Sequence, residues 1–201
     1  MAGTSACEGI AEMIHPPILI CSFPRAGSTM TMRMLDAGGV EPYGNRISYE
    51  EEDLNLDRDM FTLLPKLQNK CAKILDPQVS RWPHRFNAYV IWLDRDVDEQ
   101  AKSMIKFMRW QGATVASKAW RSIARSINDD RRKALDVFTM RAIPTLVLRF
   151  EQILSDRVHA SARIAEFLNL PLDLKAMASV VKMRSPRCAS TMEIEDGILR
   201  E

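Results

Sequence analysis

The chain has 201 residues, of which 46% are apolar and 27% are charged. This length predicts one domain spanning residues 1–201, and the composition is that of an ordinary globular protein rather than a collagen, a coiled coil or a disordered chain. The net charge of +2, from 28 basic and 26 acidic residues, argues against a general nucleic-acid-binding protein, which usually carries a strong basic excess.

The N-terminal region and the cysteines bear on location and metals. There is no window of about 18 apolar residues, and residues 1–17 lack a basic start and carry two glutamates where a signal peptide would be apolar. We therefore expect residues 1–16 to be an N-terminal extension of a cytoplasmic protein that does not bind membranes. The four cysteines share no CxxC spacing or His-rich neighbourhood, which predicts free thiols and no metal site.

Short apolar runs alternate with helical patterns along the chain. The runs predict buried strands at residues 18–23, 71–75 and 89–93, and a further strand follows Pro144 at residues 145–148. The helical patterns cover residues 28–37, a segment beginning at Val97, and residues 117–140, 158–168 and 172–182. This alternation predicts a three-layer α/β/α fold with a central parallel sheet. The polar, acidic residues 39–70 predict an irregular or partly helical excursion that shapes an acceptor site.

The loop after the first predicted strand has the composition of an anion cradle. Residues 24–29 read PRAGST and lead into a helix, whose exposed N–H groups and dipole favour a phosphate. Arg25 offers a positive fork, Gly27 allows the backbone to come close, and Ser28 and Thr29 add hydroxyl donors.

This loop departs from the ATPase pattern. The motif GxxxxGK[ST] requires Gly at position 22 and Lys at position 28, where this chain has Ser22 and Ser28. The alternative to an anion site is a simple strand-to-helix turn with Ser28 as its N-cap.

The sequence FPRAGST followed by MTMRMLDAGG resembles the 5'-phosphosulfate loop of the sulfotransferases, whose common form is PRSGTT or PKSGTT. Ala26 and Ser28 are mild departures from it. The family's donor is 3'-phosphoadenosine 5'-phosphosulfate. The resemblance implies that its 5' end is bound by Arg25, Ala26, Gly27, Ser28, Thr29 and Met30.

The family's second signature is an Arg at the end of a later strand and a Ser eight residues on, which bind the donor's 3'-phosphate. Here Arg95 ends the strand YVIWLD and Ser103 follows at that spacing. The alternatives are a surface salt-bridge partner and a solvated serine. The family also returns a basic loop to the 3'-phosphate, which implies Arg187 in KMRSPRCAS, unless this segment is only a basic tail.

Sulfuryl transfer requires in-line positioning, charge stabilisation and one base, and this scheme requires no metal. Arg25 suits the charge on the leaving 5'-phosphate. The segment CAKILDP resembles the family's KTHLP-like motif, which implies a catalytic role for Lys73. At the position of that motif's histidine stands Leu75, so the usual base is absent. A carboxylate can substitute, as in the tyrosylprotein branch, and the catalytic candidates are Glu51 and Asp76.

Other residues and other functions stay open at this stage. Further candidates for the base are Glu50, Glu52, Asp53 and His84, although a YEEED run is also typical of a solvated surface. The resemblance implies a sulfotransferase acting on a hydroxyl or amine of a small-molecule or peptide acceptor. The alternatives are a nucleotide or small-molecule kinase with a degenerate loop, and a non-catalytic nucleotide-binding module, which Leu75 favours. Trp82, Phe86 and Trp110 are candidates for an acceptor pocket or for core packing.

Overall fold

The central sheet has five parallel strands in the order β2-β3-β1-β4-β5. The computed structural model of the chain describes residues 15–50, 54 and 58–182. The strands are β1 Ile18–Ser22, β2 Glu41–Pro42, β3 Lys70–Leu75, β4 Tyr89–Asp94 and β5 Thr145–Arg149. The central strand β1 is buried on both faces, which explains why its sequence, ILICS, is almost continuously apolar.

Seven helices within the described residues connect and cover the strands. They are α1 Ser28–Ala37, α2 Met60–Leu63, α3 Val97–Trp110, α4 Trp120–Thr139, α5 Phe150–Ser155, α6 Arg157–Leu168 and α7 Leu174–Ser179. Short 3₁₀ helices occupy Leu64–Leu67, Pro77–Val79 and Ser117–Ala119.

Alternate residues of the strands divide the core into two halves. Leu19 and Cys21 of β1 pack with apolar residues of α2, α3 and α4 on one face of the sheet. Ile18 and Ile20 pack with α1, α5, α6 and α7 on the other face. Each fully buried aliphatic side chain stabilises the fold by about 1.5–3 kcal/mol. The three-layer α/β/α architecture predicted from the sequence is therefore confirmed.

The differences from the sequence-based elements are confined to short segments. Strand β2 has only two residues and was not predicted, and the short helix α5, which directly follows β5, was not predicted either. The helix predicted at 172–182 is shorter, at Leu174–Ser179. The excursion at 39–70 contains β2 and the helical turns at 60–67.

Two further observations concern membranes and thiols. Of the helices in the described ranges, none is both long enough and apolar enough to span a bilayer. Cys21 and Cys71 are free thiols buried in the core, and burial raises the pKa of each. Cys7 and Cys188 lie outside the described residues.

Candidate functional site

The carboxyl ends of the parallel strands meet at one edge of the sheet, and the two signature segments lie there. Strand β1 is followed by the loop at residues 23–27, and its neighbour β4 is followed by Arg95 and α3. Ligands of open α/β sheets bind at this edge, in the crevice outside the strand ends. The sheet order therefore brings together two segments that are far apart in the sequence.

The loop itself has an unusual backbone. Arg25 and Gly27 both have positive φ, at 72° and 96°. Gly27 precedes α1, whose first backbone hydrogen bond runs from the Thr31 N–H to the Gly27 carbonyl at 3.1 Å. The N–H groups of the first helical turn before Thr31 have no acceptor within the helix and are available to an anion.

Gly27 also allows the loop to approach a neighbouring side chain closely. A Cβ atom at this position would lie 2.6 Å from Cδ2 of Phe150, which begins α5. The glycine is therefore required for two reasons, the positive φ and the space taken by the ring.

The two signature motifs contact each other directly. The Arg25 Nε–H donates to Ser103 Oγ at 3.3 Å, and Arg95 Nη1 donates to the Arg25 carbonyl oxygen at 2.8 Å. The side chains of Arg95 and Ser103 are both buried. Because a guanidinium is always charged, the structure concentrates two fixed positive charges between the loop and α3.

An aromatic ring lies against each of these two arginines, and a carboxylate pairs with one of them. The guanidinium of Arg25 lies 5.0 Å from the ring centroid of Phe107, and that of Arg95 lies 4.7 Å from the centroid of Phe150. Arg95 also forms an ion pair with Glu99 at 3.5 Å. Its carbonyl accepts a hydrogen bond from Arg131 of α4 at 3.2 Å.

Lys73 reaches the same edge from the middle of β3. Its side chain is only 3% exposed, and its Nζ donates to Thr29 Oγ1 at 3.3 Å, to the Ser48 carbonyl at 2.7 Å and to Glu50 Oε1 at 2.6 Å. The Glu50 side chain is 45% exposed. A buried ammonium thus links the start of α1 to a carboxylate that remains open to solvent.

The loop that carries Glu50 is shaped by its own side chains. Asn45 accepts hydrogen bonds from the Ile47 and Ser48 N–H groups, as in an Asx turn, and donates to the Glu50 carbonyl. The buried Tyr49 donates to Asp36 Oδ2 at 3.0 Å. Burial, together with this carboxylate, raises the pKa of Tyr49 to about 12.

Asp76, the second predicted carboxylate, lies in a different environment. It follows β3 with a positive φ of 51°, and its N–H donates to the Ser22 carbonyl at 3.0 Å. Burial raises the pKa of its carboxyl group, and the charge of Asp130 adds to this while Arg58 opposes it. Its charged neighbours therefore differ from those of Lys73.

The remaining predicted residues divide into three groups. Ala26 is buried and Met30 is half-buried, both in the core half formed with α1, and Ser28 is buried at the helix start. Trp82 belongs to the core, where it stacks on Phe86, while Trp110 stacks on Phe107 at the surface and His84 is exposed. Glu51, Glu52, Asp53 and Arg187 lie outside the described residues.

Among the residues that contact the loop, Phe150 and Gln100 were not identified from the sequence as part of the site. Glu50 was only one of several acidic candidates, and Phe150 was given no role. Gln100 was not singled out, although its position three residues after Val97 places a polar side chain on the apolar stripe of α3. That conflict with the pattern was the available signal.

Comparison with solved structures identifies the fold. Retinol dehydratase in complex with androsterone and the inactive cofactor PAP aligns with a TM-score of 0.52 at 16% identity, over 81% of this chain. This chain spans 62% of that structure's length. The sulfotransferase domain from the curacin biosynthetic pathway aligns with a TM-score of 0.52 at 11% identity, covering 92% of this chain and 89% of that domain.

No protein-family model and no curated protein matches the sequence. The matches to solved structures confirm, at the level of the fold, the resemblance to sulfotransferases drawn from the two sequence signatures.

Proposed function

We propose that this protein transfers a sulfuryl group from 3'-phosphoadenosine 5'-phosphosulfate to a hydroxyl or amine acceptor. The observation that supports this most is the contact of the two signatures, Arg25 with Ser103 and Arg95 with the Arg25 carbonyl. Segments 70 and 78 residues apart in sequence form one basic site at the strand ends, beside a helix N-terminus.

The residues present fit a nucleotide with phosphates at both its 5' and 3' positions. The first turn of α1, with Gly27, Ser28 and Thr29, supplies N–H and hydroxyl donors for the 5' end. Arg95 and Ser103 supply a charged and a neutral donor for the 3'-phosphate. Arg187 is proposed as a further 3'-phosphate ligand on the resemblance alone.

The chemical roles follow from the charges around the loop. Sulfuryl transfer generates negative charge on the leaving 5'-phosphate. Arg25, which lies in the loop, and Lys73, whose ammonium contacts Thr29 at the start of α1, are the cations proposed to stabilise it. Glu50 takes precedence over Asp76 as the proposed base, because among the carboxylates that the structure describes it is the one seen in contact with Lys73, and it stays half-exposed to an acceptor. Glu51 lies outside the described residues. Proton acceptance by Glu50 would take the place of the motif's histidine, at whose position this chain has Leu75.

The other functions make different predictions. A kinase would need a lysine at position 28 for the β- and γ-phosphates, where this chain has Ser28. A non-catalytic module would keep Arg95 and Ser103 and lose turnover.

We propose a small molecule or a peptide as the acceptor and the cytoplasm as the location.

A ligand panel tests this proposal. Melting temperature is measured with adenosine 3',5'-bisphosphate, with ATP and Mg²⁺, and with buffer alone. A ligand at about 100 times its Kd stabilises the fold by about 2.7 kcal/mol. We expect the bisphosphate to raise the melting temperature more than ATP does. A larger shift with ATP would favour the kinase, and binding without turnover of labelled donor across a panel of hydroxyl and amine acceptors would favour the binding module.

A further inference from the structure

One side chain of α3, Gln100, binds the backbone of the loop at residues 23–27. Gln100 is 1% exposed, and its Nε2 amide group donates to the Pro24 carbonyl at 2.9 Å and to the Phe23 carbonyl at 3.2 Å. These are the two residues that connect β1 to Arg25. Both N–H groups of this buried amide therefore donate to the start of the loop.

Three successive carbonyl groups of the loop are turned to the same segment of the chain. The Phe23 and Pro24 carbonyls accept from Gln100, and the Arg25 carbonyl accepts from Arg95. Both donors lie in the stretch that begins where β4 ends. The loop is thus fixed against α3 through its own backbone and not only through the Arg25 side chain.

The geometry of a trans peptide gives this arrangement a consequence for the opposite side of the loop. No peptide bond among the described residues is cis. In a planar trans peptide the C=O of one residue and the N–H of the next point in opposite directions. Holding the Pro24 carbonyl toward Gln100 therefore directs the Arg25 N–H away from it, and holding the Arg25 carbonyl toward Arg95 directs the Ala26 N–H away from that side chain.

We infer that Gln100 is a positioning residue that sets the orientation of the loop amides for the 5' end of the bound nucleotide. This inference rests on the proposed function. The role is distinct from that of Ser103, one turn further along the same helix, which is assigned to the 3'-phosphate. Two side chains of α3 thus serve opposite ends of one ligand, one through the backbone of the loop and the other directly.

The two ends can be measured separately with three nucleotides. The ratio of Kd for adenosine 3'-monophosphate to Kd for adenosine 3',5'-bisphosphate gives the contribution of the 5'-phosphate. The ratio of Kd for adenosine 5'-monophosphate to Kd for the bisphosphate gives that of the 3'-phosphate. Substitution of a residue that matters only for folding should change the melting temperature without lowering one of the two ratios more than the other.

The test substitution is Gln100→Met, which keeps the length of the side chain and removes both donors. Its expected effect is a fall of about tenfold in the 5'-phosphate ratio, since two buried hydrogen bonds are lost, with the 3'-phosphate ratio within about twofold of wild type. Ser103→Ala should lower the 3'-phosphate ratio. Ile105→Val, a substitution of a buried residue on the same helix, should lower the melting temperature and change neither ratio.

The outcomes separate this inference from the function on which it rests. If wild-type protein binds the bisphosphate no better than either monophosphate, the donor assignment fails. If wild type shows both preferences and Gln100→Met leaves the 5'-phosphate ratio unchanged, or lowers both ratios equally, the positioning role is wrong. Should Gln100→Met not fold, Gln100→Leu, which also removes both donors without burying a charge, takes its place, and the same 5'-specific loss is expected.

Discussion

Gly27→Ala perturbs the loop at residues 23–27 in a way whose size can be worked out from the structure. An alanine at the observed φ of 96° carries a left-handed backbone penalty of about 1–2 kcal/mol. Its Cβ would also lie 2.6 Å from Phe150 Cδ2 and 3.0 Å from Cε2. Displacing a packed ring adds about 1–3 kcal/mol, so we expect a total loss of about 2–5 kcal/mol in the free energy of unfolding.

Gly112→Ala is the matched control for the backbone penalty. Gly112 also has a positive φ, at 90°, but a Cβ there would meet nothing within 4 Å. Urea denaturation of the two variants should show Gly27→Ala to be the less stable by about 1–3 kcal/mol, the share due to the ring. Equal losses in the two variants would refute the close approach of the loop to Phe150.

A functional consequence of the same substitution follows from the contacts of Phe150. This ring packs against the Arg95 guanidinium at 4.7 Å, so moving it disturbs the cation assigned to the 3'-phosphate. The affinity of Gly27→Ala for adenosine 3',5'-bisphosphate should fall, and Phe150→Leu in the same protein should recover part of the stability by making space. Calorimetric titration of the folded variants measures the first effect and urea denaturation the second.

Three further predictions concern the charged residues. Arg25→Ala should lower the turnover number about 10²–10³-fold with a smaller loss of donor affinity, and Arg25→Lys should recover part of the rate; unchanged turnover in a folded Arg25→Ala protein would mean that the loop binds without catalysing. Glu50→Gln should lower the free energy of unfolding, measured in urea, by about 1–2 kcal/mol, a loss kept small by the partial exposure of Glu50. Lys73→Met should lower the free energy of unfolding by less, because the Glu50 carboxylate can then be hydrated. A larger loss of stability in Lys73→Met than in Glu50→Gln would contradict this. Because burial raises the pKa of Asp76, its ionised form destabilises the fold, so Asp76→Asn should raise the melting temperature at about pH 8, with a gain that shrinks toward about pH 4; a gain independent of pH would show that the charge is not the cause.

The fold could be predicted from the sequence because three of the strands, β1, β3 and β4, are buried along most of their length. A strand such as ILICS reads as an unbroken apolar run, and the intervening helices keep a 3.6-residue period. Strand β2, with two residues, and α5, with six, are too short to show either period. The position of β2 depends on its pairing with β3, and that of α5 depends on the packing of Ile153 into the core.

The site was predictable where a residue type and its spacing carry the chemistry. Arg25, Arg95 and Ser103 were identified in this way, and the structure brings all three together. Among the acidic residues that follow Tyr49, Glu51 rather than Glu50 was the named catalytic candidate, because the choice depends on how the turn at Asn45 directs the chain toward Lys73. That turn is visible only in three dimensions.

The most direct test of the proposed function compares adenosine 3',5'-bisphosphate with adenosine 5'-monophosphate by calorimetric titration of wild type and Arg95→Ala. The two ligands differ only in the 3'-phosphate, which Arg95 and Ser103 are proposed to bind. Wild type should prefer the bisphosphate, and Arg95→Ala should lose that preference at a cost of about 2–5 kcal/mol in binding, the range for one partner of a desolvated charge pair. Equal affinity of wild-type protein for the two nucleotides would contradict the assignment of a 3'-phosphate site.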